Sequence, residues 1–365
     1  MVFHDRIELY KQVEGLRKRP LVVYVTSVRP NAPAQMAPDS IPDFAKQLLK
    51  IPKDQREIDL LVVSNGGDPT VSWRMMCMLR QRFDKVSVLL PYVAYSAATL
   101  LALGADEIVM HQFSNLGPVD PQLTYLRRVQ GMAPERVSFA AEDLRHYIDF
   151  VKHDVGISDQ IGLTKSFELA CAEIGPIPIG IAKKSSYLTL SMGEKLLNLH
   201  MKDGSKTKSI VAALNTSFYH HGYPVGKKEA KEIGLPIVDA SLEIEELIWA
   251  IWEDFQTEME CNVPFDPLTL VLSDPNASAQ LKPNVINVPV NLPPQLAQNV
   301  YNQIIQSAGQ IAVNPVFTEL FQAAIESTRC GSQFRTKLEI DAVRRPDLSI
   351  SINTMPMKQG WSNAI

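Results

Sequence analysis

Three short apolar runs constrain this chain most: Leu21-Val22-Val23-Tyr24-Val25, Ile58-Asp59-Leu60-Leu61-Val62-Val63 and Val86-Ser87-Val88-Leu89-Leu90. Each is rich in β-branched residues and too short for a helix, and each suits a strand buried on both faces. Helical patterns separate them. Ser40-Ile41-Pro42-Asp43 has the form of a helix start, with an N-cap Ser, a Pro in the first turn and an acid three residues on, ahead of Phe44, Leu48 and Leu49. Val71, Met75, Met76, Met78 and Leu79 mark a second helix, and a charged segment over residues 5–18 precedes the first strand. Strands alternating with helices predict βαβ units around a parallel sheet, hence an α/β protein.

The rest of the chain reads differently. After Gly131 the pattern is mostly helical to about residue 260. Of 25 prolines, ten lie from Pro264 onward and seven of those by Pro294, a density that excludes long helices and predicts an extended connector. Residues 298–307 and 316–326 fit helices, whereas 336–340 and 348–352 alternate apolar and polar side chains like strands. The expected organisation is a main domain over 1–260, a Pro-rich connector over 261–297, and a smaller C-terminal α+β region over 298–365.

Composition removes several functions. A formal charge of −4, from 36 basic and 40 acidic residues, offers no footprint for a phosphate backbone, so nucleic acid is not an expected partner. No stretch reaches the ~18 uninterrupted apolar residues of a spanning helix, and the charged amino terminus lacks the apolar core of a signal peptide. Cys77, Cys171, Cys261 and Cys330 stand far apart with no CxxC pair, which argues for a reduced, cytoplasmic setting. His146 and His153 lack the i, i+4 spacing and acidic partners of a metal site. Gly222-Tyr223-Pro224-Val225-Gly226-Lys227-Lys228 has one residue too few between its glycines for a phosphate loop. No metal and no cofactor are expected.

Two segments bear chemistry. Gly66 and Gly67, in Ser64-Asn65-Gly66-Gly67-Asp68, follow a buried strand, where they serve either as a tight turn or as bare N–H groups that stabilise an oxyanion. Ser96 follows the third strand and opens an Ala-rich helix, with the N–H of Ala97 beside it; it is either an N-cap or a nucleophile near the positive end of a helix dipole. Both lie at the carboxyl edge of one parallel sheet, where open α/β folds place their sites.

These residues resemble a family: the Clp protease and crotonase superfold, and within it the serine dehydrogenase proteinases, related to signal peptide peptidase A. The resemblance rests on Ser64-Asn65-Gly66-Gly67-Asp68, on Tyr95-Ser96-Ala97-Ala98-Thr99 running into Gly104-Ala105-Asp106-Glu107, on Leu116-Gly117-Pro118-Val119-Asp120-Pro121, and on His221-Gly222-Tyr223-Pro224. It covers roughly the first 240 residues. It implies a Clp-protease-like core with a helical extension, and a serine peptidase acting on peptides or unfolded proteins. It further implies Ser96 as nucleophile, Gly66, Gly67 and Ala97 as oxyanion donors, His221 as general base and a homo-oligomeric assembly.

Asp120, in a rigid turn 24 residues after Ser96, is the chosen acid of the triad, and His220 is a stand-in for His221. His111 is read as structural or exposed. Signal peptide peptidase A uses a lysine as base, which leaves Lys165, Lys183 and Lys184 open as a Ser-Lys alternative. Two further readings stay open: a crotonase-type acyl-CoA enzyme, and a non-catalytic scaffold or a regulatory protein whose site is silent until a partner docks; the C-terminal region is a candidate for assembly or for a partner contact.

Overall fold

A computed structural model describes residues 3–127, 134–216, 222–282, 293–307 and 310–364, with the backbone alone at 216 and 303–307. The three apolar runs form β1 (Leu21–Thr26), β2 (Glu57–Val63) and β3 (Lys85–Leu90), joined by β4 (Glu107–Met110). All four pair in parallel in the order β4-β3-β2-β1, as the alternation predicts. Intervening helices α1 (Phe3–Arg17), α2 (Ile41–Lys50), α3 (Pro69–Arg80) and α4 (Ala97–Leu103) cover the sheet.

Period-two alternation sends successive side chains to opposite faces. Leu21, Val23, Val25, Leu61 and Val63 pack on Tyr10 and Val13 of α1 and on Ile248, Trp252 and Phe255 of a late helix, Leu242–Glu258. Val22, Tyr24, Leu60, Val62 and Val88 pack on Phe44 of α2, Met75 and Leu79 of α3 and Leu101 of α4. Both faces are buried, so the strands read as unbroken apolar runs.

The carboxyl-terminal third does not stand apart. Residues 316–326, expected as helix, form β5 (Val316–Glu326), which pairs antiparallel with β1 and with β6 (Gly331–Arg344); β6 in turn pairs with β7 (Ile350–Asn363). The sequence Val316-Phe317-Thr318-Glu319-Leu320-Phe321 spaces apolar residues three and four apart and contains good helix formers, but pairing on two sides overrides that local preference. A single nine-stranded sheet therefore crosses the boundary drawn at residue 260.

The connector also differs from its expected extended form. Helices Pro267–Ser273 and Pro275–Leu281 start on prolines at positions that need no amide hydrogen, with Asp266 and Asp274 accepting the free N–H groups of the first turns. Residues 283–292 lie outside the described residues.

A helical extension follows the hairpin Gln122–Arg127 and Glu135–Ala140. Two of its helices frame the site: Pro176–Leu197, here α5, and Gly204–Thr216, here α6. The core is thus α/β, parallel strands covered by helices on both faces.

Candidate active site

The carboxyl ends of β2 and β3 run into two loops that interlock. Ser64 donates its N–H to Val93 O (3.0 Å) and accepts from Tyr95 N–H (2.9 Å), which draws the glycine loop against the turn carrying Ser96. Ser64 Oγ also accepts from Thr26 Oγ1 (2.7 Å) and from Gly66 N–H (3.0 Å). Ser64 and Thr26 are fully buried, so this arrangement is rigid.

Gly66 and Gly67 need to be glycine for different reasons. Gly66 has φ +97°, and a methyl group on it would lie 2.6 Å from Tyr95 O and 3.0 Å from Ala97 N. Gly67 has φ +149° and passes so close to Met36 that a Cβ would meet its carbonyl oxygen at 2.3 Å. Met36 and Gly67 form a parallel bridge in which Met36 N–H donates to Gly66 O (2.7 Å) and Asp68 N–H donates to Met36 O (2.9 Å). Neighbouring residues of a strand point their hydrogen-bonding groups to opposite sides. The N–H and C=O of Gly67 itself thus face away from Met36, on the side of the cleft that Gly67 lines.

Ser96 stands at the N-terminus of α4 with φ 53° and ψ −115°. This is a strained backbone for a residue with a Cβ, worth about 1–3 kcal/mol, and it resembles the sharp strand-to-helix turn that exposes a nucleophile. Ser96 makes no side-chain cap bond, so capping does not account for it. Its side chain is half-buried and lines a cleft of about 460 Å³ together with Asn65, Gly67, Leu100, Val119 and Thr189. Among the described residues nothing accepts the N–H of Gly67 or of Ala97. Gly66 is placed differently from the other donors, because its N–H is taken by Ser64 Oγ.

Thr99 links this turn to the candidate acid. Its hydroxyl lies 2.7 Å from Ala94 O and 2.9 Å from Gly117 O, and its oxygen accepts from Gly117 N–H (3.2 Å). Three residues beyond Gly117, Asp120 is 8% exposed and accepts from Gln122 Nε2 (3.0 Å). Its neighbours Val119 and Pro121 line the Ser96 cleft, but Asp120 does not.

His220 and His221 lie outside the described residues. The chain on either side is anchored beside this turn: Val119 N–H donates to Leu214 O of α6 (3.0 Å), and Val225 pairs with Leu116. Lys165, Lys183 and Lys184 are exposed, and none lines the cleft. His111 is structural: it is 6% exposed, stacks on Trp249 at 4.6 Å, and accepts from Phe113 N–H.

Several residues of the site carry no sequence signal. Met36 and Gln35 come from the loop between β1 and α2. Ser185, Leu188 and Thr189 share one face of α5, and only folding brings them opposite Ser96. Their i, i+3, i+4 spacing marks a helix face but not a destination. Among the described residues no group of three metal-ligating side chains converges, and no helix is long and apolar enough to cross a membrane.

Residues 41–130 match the ClpP-like SDH-type serine proteinases. The matching segment contains both glycines, Ser96 and Asp120. Two uncharacterized proteins of Methanocaldococcus jannaschii are similar, at 27% identity over 192 residues and 29% over 211 residues, or 52% and 58% of this chain. The matches span 54% and 62% of those relatives, so the chain covers between half and two thirds of their length.

Among solved structures, a serine-to-alanine mutant of the 1510-N membrane-bound stomatin-specific protease is similar over 61% of this chain and 80% of its own. Its TM-score is 0.36 and its identity 13%. A lysine-to-alanine mutant of that protease in complex with a substrate peptide gives 0.35 and 14%, over 61% and 76%.

Proposed function

We propose that the protein is a serine peptidase that hydrolyses peptide bonds through an acyl-enzyme on Ser96. The observation that carries this is a strained, uncapped serine facing a cleft beside two backbone amides, those of Gly67 and Ala97, that no described acceptor uses. In the proposed reaction Ser96 Oγ attacks the scissile carbonyl as its proton passes to His221, which Asp120 orients. The negative charge that develops on the carbonyl oxygen is held by the N–H groups of Gly67 and Ala97. His221 then returns the proton to the leaving amine, and water repeats the sequence to release the acid. Gly66 serves this arrangement by close approach, since its own amide is committed to Ser64.

An extended substrate pairs its main chain with the open N–H and C=O of Gly67, as peptides add to exposed strand edges. We place the catalytic unit in residues 1–260, with β5 to β7 completing its sheet. Exposed apolar side chains at Ile161, Leu169 and Ile177 support assembly into a homo-oligomer, and four free cysteines support a reducing, cytoplasmic compartment.

The deciding experiment is labelling with a fluorophosphonate probe together with hydrolysis of unfolded casein. Wild-type protein is expected to be labelled and active, and Ser96→Ala to be neither. Labelling that survives in Ser96→Ala, or its absence from both, overturns the reading. An acyl-CoA enzyme of the crotonase type would bind coenzyme A thioesters and leave Ser96 unlabelled.

A further inference from the structure

Among the described residues lining the Ser96 cleft, Asp68 alone carries a formal charge; the others present hydroxyls, amides or hydrocarbon. Its carboxylate is held in place. Oδ1 accepts from Thr70 N–H (2.8 Å) and Thr70 Oγ1 (2.7 Å) at the start of α3, while no described donor meets Oδ2. Asp68 directly follows Gly67, the residue whose open N–H and C=O face the cleft. A peptide strand paired on Gly67 brings its side chains within about 4.5–5.5 Å, Cβ to Cβ, of the residues across from them, and a Lys or Arg side chain spans that distance easily.

We propose that Asp68 is a specificity-determining residue: the cleft takes extended peptide segments with a basic side chain near the reacting carbonyl and disfavours acidic ones there. The inference rests on the peptidase reading of the same cleft. The physical case is one fixed negative charge in a partly enclosed space with no described cation lining it. Attraction for Lys and repulsion of Glu act on the same comparison, so their effects multiply. Because Asp68 is half-exposed, solvent limits the effect to about fivefold between Lys and Glu peptides, and it weakens as the screening length falls to roughly 3 Å at molar salt.

The test separates recognition from turnover. Ser96→Ala protein is titrated with fluorescein-labelled dodecapeptides of Ala, Leu and Gly that differ only in one central Lys, Met or Glu, and binding is read by fluorescence anisotropy. The expected order of affinity is Lys, then Met, then Glu, narrowing towards equality in 1 M NaCl. In the double variant with Asp68→Asn, which keeps the cap acceptor and removes the charge, the three affinities should converge. Equal affinities without the second substitution, an order that Asp68→Asn leaves unchanged, or no binding by any peptide overturns the inference. If the charge order holds while wild-type Ser96 resists fluorophosphonate, the peptidase reading alone falls.

Discussion

The α-carbon of Gly66 sits against Ser96: a methyl group built there would lie 2.9 Å from Ser96 Cβ and 2.6 Å from the Tyr95 carbonyl oxygen. The backbone at Gly66 is also left-handed. Gly66→Ala must therefore move one loop off the other, at a cost of about 2–4 kcal/mol in urea unfolding, with loss of probe labelling at Ser96. Gly15→Ala on α1 is the control, since nothing lies within 4 Å of that position and alanine is the better helix former. Equal stability of the two variants would show that the loops do not touch as described.

Ser96 holds a positive φ that glycine adopts without strain. Ser96→Gly should abolish hydrolysis and yet raise stability by about 1 kcal/mol, the strain released less the added freedom of the unfolded chain. Thermal and urea melts read the sign. A destabilised Ser96→Gly protein would mean that the hydroxyl contributes to folding, and that its place at the cleft is not held at the expense of stability.

The sequence showed what repeats locally and missed what folding assembles. Apolar runs such as Val22 to Val25 announced strands buried on both faces, and the paired glycines and Ser96 announced a loop edge, because backbone freedom and side-chain chemistry are written in single residues. Residues 316–326 were misread because Phe317, Leu320, Phe321 and Ala324 have helical spacing, and only pairing with β1 and β6 selects the strand. That Ser64 ties up the Gly66 amide is a matter of one hydroxyl's direction, which no pattern encodes. For the same reason the turn at Asp120 is legible in the sequence, but not that Asp120 stands off the cleft wall while Val119 and Pro121 line it.

Ser64 Oγ serves as acceptor for a buried hydroxyl and a buried amide at once. Ser64→Ala leaves Thr26 Oγ1 and Gly66 N–H short of a partner, which costs about 1–3 kcal/mol. It also loosens the loop that positions Gly67. The rate constant for Ser96 labelling is expected to fall about tenfold, less than the roughly 10²–10³-fold of an oxyanion donor removed outright because the amide is only loosened, while peptide affinity changes less. Full labelling rate in a destabilised Ser64→Ala protein would show that Gly67 is held by other contacts.

Two histidines, buried His111 and half-buried His200, set an acid limit. Burial lowers the pKa of His111, against Glu245, which raises it, and with Lys227, which lowers it further; burial also lowers that of His200, despite its bond to Leu103 O. Both fold as neutral imidazoles. Below the ordinary value of about 6.5 the unfolded chain takes up protons that the folded chain does not. Stability is therefore complete above that pH and declines as pH falls towards the folded values. Urea midpoints measured from pH 7.5 to 5.5 should drop, and the drop should shrink in His111→Phe/His200→Gln. A pH-independent midpoint in wild type would contradict the lowered values of both rings.

Arg6 joins the two ends of the chain. Fully buried, it donates from Nε and Nη2 to both oxygens of Glu326 (3.0 and 2.8 Å) and from Nη1 to Asp254 (2.6 Å), while Tyr10 donates to Glu326 (2.7 Å). Removing one partner strands a buried charge, so Arg6→Met or Glu326→Leu should each cost about 3–5 kcal/mol, while the double variant recovers only part of that loss because buried Asp254 also loses Arg6. The same contacts bear on the domain boundary. If residues 298–365 were a separate region, deleting them would leave a folded, probe-reactive 1–297. Because β5 pairs with β1 and Glu326 neutralises Arg6, the truncated chain should instead lose its cooperative melt and its labelling together. A truncated protein that melts cooperatively with Ser96 still reactive would show that the central sheet closes without β5.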